Sequence, residues 1–566
     1  MKSKKIITYI FFALIWIIFY TVRSNAGTLL ENVLKKTKPF VGQGTVSKKS
    51  YFSSDNIIDL NGHASQEVFN RFQSLISKAN HEILIQTFWW ESQSQAAQKI
   101  FRGLVELNKA HTKSRVKPKV FILIDSTILQ RAHGKLRKVV KKLKAEKLGP
   151  VPTAVSLSEN FQLAKKYIIN FSKKLPNVKV YVQKYEHAYI GSLHGKTLVV
   201  DGQIAMVMGT NPQNYLNEPH AWYDLGFTVA GTAAIAMRED FVSAWVQAIS
   251  YDDQFKENIK ELKRFRKKLG CNWGRTFICR AWTNLDAHWI EKNRMAFDKV
   301  STSLGLPPSP KYKIFPVKKF IQEDKGNPLS NVRIAVTTRV GNGFPEIFKG
   351  FNTWINRWVK NHKNIKEGYN IDNTQDQAYL VSFGSAKSHI HILSPNFNDD
   401  DAIKSLADAV KRGVHVKLVT TFGFNRSTEN YPGQGGDNRK GYCRLYKKAL
   451  KVTRDKEKVE KFLHLRWYTR PDGVRVDDSK SVVDDEGKGR PDAMHAKYAT
   501  IDDQVAIVGT ANMDTQSWNH SREINLLIDN KKVAKSWDKQ LFNDVFNRSD
   551  KWEGPNECKK FKIKKE

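Results

Sequence analysis

Short apolar runs and stretches of helical spacing take turns along most of the chain. Val68, Phe69, Phe72, Leu75 and Ile76 recur at helical intervals and predict a helix over 65–79. Residues 82–90 predict a strand that ends in Phe88, Trp89 and Trp90, followed by a helix over about 93–110. Residues 119–125 are almost wholly apolar, the pattern of a strand buried on both faces. A basic helix over 131–147, a helix near 159–174 and a strand at 178–185 lead to His194. A strand at 222–229 and a helix at 232–249 follow. Later in the chain the pattern predicts strands at 331–338 (read as an addition at a sheet edge), 389–396, 414–421, 464–468 and 523–528, with helices at 400–412 and 531–547. Strands alternating with helices predict an α/β layered fold.

The order is a duplication. His194-Gly-Lys196-Thr-Leu-Val-Val-Asp201 reads H-x-K-x4-D, and so does His495-Ala-Lys497-Tyr-Ala-Thr-Ile-Asp502. An Asn follows each His by 17 positions, Asn211 in one copy and Asn512 in the other. A recurring set of spaced polar residues with its apolar filler is an internal repeat. Each copy reads as strand, turn, strand, with turns at Asp201-Gly202 and Asp502-Asp503. Strand side chains alternate faces, so His194 and Lys196 share one face. Asp201 and Asp502 sit at odd offsets in turns and should point away, as scaffold residues. The reactive set per copy is then His, Lys and Asn. Two copies facing each other would surround one phosphate-sized space with imidazoles, ammonium groups and amides.

These paired motifs, together with Gly209-Thr210-Asn211 and Gly509-Thr510-Ala511-Asn512, resemble those of the phospholipase D superfamily over about residues 80–546. The resemblance implies two pseudo-repeated α/β halves, each a layered mixed sheet flanked by helices, with the active site between them. It also implies that one motif His attacks phosphorus to give a phosphohistidine, while the other protonates the leaving alcohol and then activates water or an acceptor alcohol. Family precedent leans towards His194 as the nucleophile. Lys196, Lys497, Asn211 and Asn512 are expected to donate to the phosphoryl oxygens. Each His needs an acceptor on its second nitrogen. The strand after each motif offers Asp224 and Glu523, and the family's crossed arrangement pairs His194 with Glu523 and His495 with Asp224. No cofactor and no metal are expected, because lysines and a protonated His can supply the positive charge.

Composition changes the picture at the termini and on the surface. Lys2, Lys4 and Lys5 precede an apolar run from Ile6 to Val22, and small residues at Ser24 and Ala26 follow. That is the layout of a signal peptide or an uncleaved signal anchor, and it predicts an exported body, secreted or periplasmic. The expected divisions are a leader at 1–26, a basic, poorly ordered lead-in at 27–55, a first phospholipase D-like half at 56–250, a connector and insertion at 251–330, a second half at 331–550 and a basic tail at 551–566. In 566 residues, 93 basic and 56 acidic side chains leave a net charge of +37, which attracts polyanions. An anionic membrane surface or a phospholipid is the expected partner, nucleic acid the alternative, and the chain is read as a monomer. Trp89, Trp90, Trp222 and Trp518, near the motif strands, suit a membrane-surface substrate or the core. Local pairing of Cys271 with Cys279, and of Cys443 with Cys558, fits an oxidising compartment.

Three side features are read as structural. His389 and His391 share a strand face, but no third ligand lies near them in sequence, so a packing or surface role is expected. Gly433-Gln-Gly435-Gly436 is read as a flexible turn and Asp477 to Glu486 as a solvated loop. The expected activity is phospholipase D-type cleavage or transfer of a phospholipid phosphodiester. A superfamily nuclease and a cardiolipin-synthase-like phosphatidyltransferase are the alternatives.

Overall fold

The computed structural model describes residues 28–41, 46–126, 157–185, 191–214, 222–249, 317–323, 325–340, 373–424, 429, 434–476 and 493–559. The apolar N-terminal run, the basic stretches at 131–147 and 260–268, Cys271, Cys279, the loop at 477–486 and residues 560–566 lie outside them. Among the described residues no helix is long and apolar enough to cross a membrane.

The lead-in is part of the core, contrary to expectation. Helix α1 (Leu29–Thr37) begins with a capping box: Glu31 N donates to Thr28 Oγ1 at 3.3 Å and Thr28 N donates to Glu31 Oε2 at 2.9 Å. Its Leu29, Leu30 and Val33 are buried against the helix Thr374–Ser385 of the second half. The lysines that made the segment look solvated occupy the opposite face. Strand β1 (Phe52–Asp59) follows.

The first half continues with α2 (Gln66–Ser77), β2 (Glu82–Thr87), α3 (Gln95–Ala110), β3 (Lys119–Asp125), α4 (Leu157–Ser172), β4 (Lys179–Tyr185), β5 (Thr197–Val200), β6 (Ile204–Met208), β7 (Leu225–Ala230) and α5 (Thr232–Ile249). The second half contains β8 (Pro328–Arg339), α6 (Thr374–Ser385), β9 (His389–Leu393), α7 (Asp400–Arg412), β10 (His415–Thr420), α8 (Asn438–Thr453), β11 (Leu463–Trp467), β12 (Tyr498–Ile501), β13 (Val505–Gly509), β14 (Ser521–Asp529) and α9 (Lys531–Trp537).

The strands make one mixed sheet, in the order β4-β3-β2-β5-β6-β7-β1-β8-β14-β13-β12-β9-β10-β11. The three strands at each end of this order are parallel and the rest pair antiparallel, so the two halves are pseudo-equivalent about the β1–β8 seam. Strand β8 is therefore central, not the edge strand expected. Its Val332, Ile334, Ala335 and Val336 are all buried, paired on one side with β1 and on the other with β14. The final helix expected over 531–547 is broken after Trp537 by a π-helical turn, Asp538–Phe542.

Each motif sits on a hairpin. Asp201 and Asp502 take left-handed φ values of 51° and 53° in these turns, a conformation that Asp tolerates better than most residues. Their carboxylates turn away from the histidines and collect backbone donors from the strand before. Asp201 accepts from Asn80 N, His81 N and Glu82 N, each at 2.8 Å. Asp502 accepts from Lys387 N and Ser388 N at 2.8 Å and His389 N at 2.9 Å. The third motif residue thus pins the hairpin to β2 or β9.

Cys443 of α8 and Cys558 are joined, with Cα atoms 5.6 Å apart, so the C-terminal turn Pro555–Lys559 is tied to a core helix. Gly435 and Gly436, with φ of 79° and 93°, pack against Asn398, Thr515 and Lys440 in an ordered turn.

Two stability outcomes follow from these anchors. Asp201→Ala strands three backbone donors and should cost about 3 kcal/mol in urea unfolding, whereas His194→Asn should cost less than about 1 kcal/mol. Reducing the Cys443–Cys558 bond, which spans 115 residues, should lower unfolding free energy by about 4–5 kcal/mol; unchanged denaturation midpoints with and without reductant would contradict this.

Candidate active site

Both motif histidines emerge from the strand ends at the junction of the halves, and backbone bonds crossing that junction fix them. His194 N donates to Arg522 O at 3.0 Å, and His495 N donates to Tyr223 O at 2.8 Å. Ser192 and Leu193 pair in parallel with Ser521 and Arg522. Beneath them Arg522 of the second half donates to the Asp240 carboxylate of the first at 2.7 Å, with both side chains buried. An ion pair removed from water is costly to break, so this contact holds the halves in register.

The side chains cross in the same way. His194 Nδ1 lies 2.7 Å from Glu523 Oε1, and His495 Nδ1 lies 2.6 Å from Asp224 Oδ2. Each imidazole is thus held by an acid of the other half. Glu523 is itself fixed: Ser517 Oγ donates to Oε1 at 2.7 Å and Thr510 Oγ1 donates to Oε2 at 2.5 Å. Leu225 N donates to Asp224 Oδ1 at 2.9 Å. With Nδ1–H committed to a carboxylate, each ring presents Nε2 to the cleft. Glycine makes the crossing possible at Gly209, where a Cβ would lie 2.0 Å from Asp224 Oδ1 and 2.9 Å from Lys497 Cδ.

The lysines are buried beside the rings. Lys196 Nζ donates to His194 O at 2.7 Å. Lys497 Nζ donates to His495 O and also lies 2.8 Å from His495 Nδ1. Burial pushes Lys196 down to about 7 and Lys497 down to about 8. Burial, followed by the Lys497 ammonium, pushes His495 down to about 3. Burial also lowers His194, but the Glu523 charge opposes it. Lys497 acts electrostatically on His194 and Lys196 on His495, so the four groups share one site.

The two asparagines are not equivalent. Asn211 Oδ1 accepts from Thr87 Oγ1 at 3.0 Å, Phe88 N at 3.2 Å and Trp89 N at 3.3 Å. This aims its amide nitrogen away from those donors, as an anion donor should be aimed. Asn512 instead donates Nδ2 to Asp514 Oδ2 at 2.9 Å, and its buried Oδ1 has no hydrogen-bond partner. Asp514 thus engages one of the two Asn512 N–H groups, a contact that Asn211 lacks among the described residues. Asp514 also accepts from Asn396 Nδ2 at 2.9 Å, beside a Glu429 carboxyl that burial raises well above the usual range.

Aromatic walls complete the cleft. Phe88 meets His194 edge-on at 5.7 Å, with Lys196 Nζ 5.7 Å above its ring. Trp222 lies 4.8 Å and Phe424 5.6 Å from the His495 ring. Of the tryptophans read from the sequence, only Trp222 touches a motif histidine. Trp90 packs on Phe101 and Trp518 on Tyr379 in the core, and half-buried Trp89 donates to Glu91. Phe424, Ser517 and Asp514 join the site beyond the residues that the motifs mark, as does the Thr510 hydroxyl. The Gly-Thr of the turn was a signal for Thr510; nothing in spacing marked the others.

His391, read as packing or surface, has a carboxylate partner from far along the chain. Asp538, distant in sequence, lies 3.0 Å from His391 Nδ1, because the π-helical turn carries it over the start of β9.

Residues 379–545 match the family model described as "Cardiolipin synthase, PLD-like domain". Cardiolipin synthase 2 of Staphylococcus epidermidis is 30% identical over 168 residues, 30% of this chain and 26% of that protein. Cardiolipin synthase of Clostridium perfringens is 40% identical over 52 residues, 9% of this chain and 11% of that protein. The matched region thus spans about a quarter or less of the curated relatives' length. Among solved structures, phosphatidylserine synthase of Haemophilus influenzae aligns over 88% of this chain and 90% of its own at 14% identity and a TM-score of 0.46. Nuc, a phospholipase D family member of Salmonella typhimurium, aligns over 31% of this chain and 88% of its own at 19% identity and a TM-score of 0.21. With two H-x-K-x4-D hairpins facing each other across one sheet, and a family model that matches its second half, the chain belongs to the phospholipase D superfamily.

Proposed function

We propose that this chain cleaves a phospholipid phosphodiester and passes the phosphatidyl group to an alcohol or to water through a phosphohistidine. The observation that carries this reading is the crossed pair of imidazole–carboxylate hydrogen bonds, made across the junction beside two buried lysines. The cardiolipin synthase relatives favour a lipid substrate and an alcohol acceptor.

Attack falls to His495 and acid catalysis to His194. The Lys497 ammonium beside the His495 ring opposes its protonation, which keeps an Nε2 lone pair available. Among the described residues no lysine nitrogen is hydrogen-bonded to the His194 ring, and the Glu523 carboxylate offsets part of the lowering that burial causes. Local charge thus favours the reverse of the family lean. His495 Nε2 bonds to phosphorus as the P–O bond to the leaving alkoxide breaks, and His194 Nε2–H delivers the proton to that oxygen. His194 then takes a proton from the incoming alcohol or water, whose oxygen bonds to phosphorus as the P–N bond breaks. Lys196, Lys497 and the Asn211 amide donate to the phosphoryl oxygens as charge builds; losing one such donor costs about 2.7–4 kcal/mol of transition-state stabilisation.

A nuclease is the second reading, favoured by the net charge of +37. Purified protein should be incubated with phosphatidylglycerol vesicles plus ethanol, and in parallel with plasmid and single-stranded DNA. Phosphatidylethanol formation, lost in His194→Asn and His495→Asn, is the expected result. DNA cleavage lost in the same variants, without lipid turnover, would establish the nuclease instead.

The histidine roles can be read with a p-nitrophenyl phosphodiester, whose leaving group needs no acid. His194→Ala should still form an acid-labile phosphoenzyme on rapid quenching, and His495→Ala should not; the opposite pattern would reverse the assignment. Glu523→Gln and Asp224→Asn should each lower kcat on the order of 10⁴-fold by mis-setting the tautomer.

The lysines set the alkaline limb. Lowered lysine pKa values mean that charge is lost as pH rises through about 7 for Lys196 and about 8 for Lys497. The pH profile of kcat/KM, which reports free enzyme, should therefore fall above that range. Bound phosphodiester favours the ammonium forms, so the limb in kcat should move to higher pH.

A further inference from the structure

The far end of β9 from the active site carries a second cluster. His389 and His391 project from one face of the strand start with their rings stacked 4.5 Å apart. Asp538 comes over them from the π-helical turn Asp538–Phe542, an irregularity often found at functional positions. The candidate ligand atoms of the three residues all lie within 4.8 Å of one another. His391 Nδ1 and Asp538 Oδ2 are 3.0 Å apart. Two ligands of a tetrahedral zinc ion, each about 2.0–2.2 Å from the metal, sit about 3.3 Å apart, so this pair is almost spaced for one.

The surroundings orient the set. Asp538 Oδ1 accepts from Tyr498 OH at 2.8 Å and Thr500 Oγ1 at 2.7 Å, leaving Oδ2 to face the imidazole. The His391 ring lies parallel on Phe542 at 4.4 Å. His389 Nε2 contacts Asp503 at 3.2 Å, from the motif turn. His389, His391, Asp503 and Asp538, with His415 and Lys417, line a cavity of about 630 Å³ that gives an ion a way in and room for water as a fourth ligand. Of the two lysines at the cavity, Lys417 Nζ lies over the Phe546 ring at 5.2 Å and Lys535 Nζ lies 3.7 Å from Asp503.

The first half handles the same position differently. Glu82 occupies the place of His389, since the backbone N of each donates to its motif Asp. There Arg238 of α5 inserts its guanidinium against the Glu82 carboxylate, with both groups buried. One half carries its own cation between strand and helix. The other presents two imidazoles and a carboxylate in the equivalent gap.

We propose that His389, His391 and Asp538 bind a borderline divalent transition metal of the Zn²⁺ class, which clamps the C-terminal helical segment to β9. Imidazole and carboxylate donors suit such an ion better than Ca²⁺ or Mg²⁺, which prefer all-oxygen sets. The site is separate from the phosphodiester chemistry and does not depend on it.

The test uses the full chain carrying His194→Gln and His495→Gln, so that active-site imidazoles do not compete. After chelator treatment and dialysis, Zn²⁺ is titrated calorimetrically, bound metal is counted by mass spectrometry and Tm is measured with and without Zn²⁺. About one equivalent should bind and raise Tm. His389→Gln, at a partly exposed strand start, and Asp538→Asn, which keeps an acceptor for Tyr498 and Thr500, should each weaken binding at least about tenfold and abolish the Tm rise. Near-ultraviolet circular dichroism of the metal-free variants should match that of the parent. Absence of stoichiometric binding, or binding unchanged in His389→Gln, would overturn the site.

Discussion

The crossed hydrogen bonds between each imidazole and the acid of the opposite half are the constraint on which the rest depends. A carboxylate 2.6–2.7 Å from Nδ1 sets the tautomer and aims Nε2, but only while the two halves keep their spacing to within a fraction of an ångström. The fold supplies that spacing in three ways. The β1–β8 seam makes the halves one sheet. Backbone bonds from His194 to Arg522 and from His495 to Tyr223 cross the junction just below the rings. The buried Arg522–Asp240 pair fixes the register beneath them. At Gly209 a Cβ would meet Asp224 of the first half and Lys497 of the second, so no larger residue fits.

Duplication provides two of everything, and the structure uses the copies unequally. Asn211 has its oxygen tied down by three donors, whereas Asn512 has its nitrogen tied to Asp514. Lys497 lies against the ring of its own motif histidine, and Lys196 against the His194 carbonyl and the Phe88 ring. The walls differ too, with Phe88 on one side and Trp222 with Phe424 on the other. The proposed two-step phosphoryl transfer needs one neutral and one protonated imidazole at the start. A strictly symmetric pocket could not tell them apart.

Much of this was legible in the chain because the motif obeys strand parity. His194 and Lys196 share a face, Asp201 does not, and the structure gives Asp201 the backbone amides at 80–82. The crossed pairing of His194 with Glu523 and His495 with Asp224 was readable from the family resemblance, not from local pattern. What escaped depends on contacts remote in sequence. The place of β8 in the middle of the sheet follows from β1, whose polar start, Ser53 to Asn56, gives no strand-core pattern. The burial of α1 follows from a three-residue apolar stripe under a lysine-rich face. Asn512 carries the same letter as Asn211, and Asp514, two residues on, gives its amide a different partner. Asp538 reaches β9 through a helical irregularity that no periodicity announces.

The seam between β1 and β8 also limits how the molecule can change shape. With the middle of a single sheet running through both lobes, they cannot hinge apart like the jaws of a clamshell without stripping main-chain bonds from the interior. A lobe cut from its partner would present a raw strand edge, apolar on β8, so each lobe shields main-chain groups of the other.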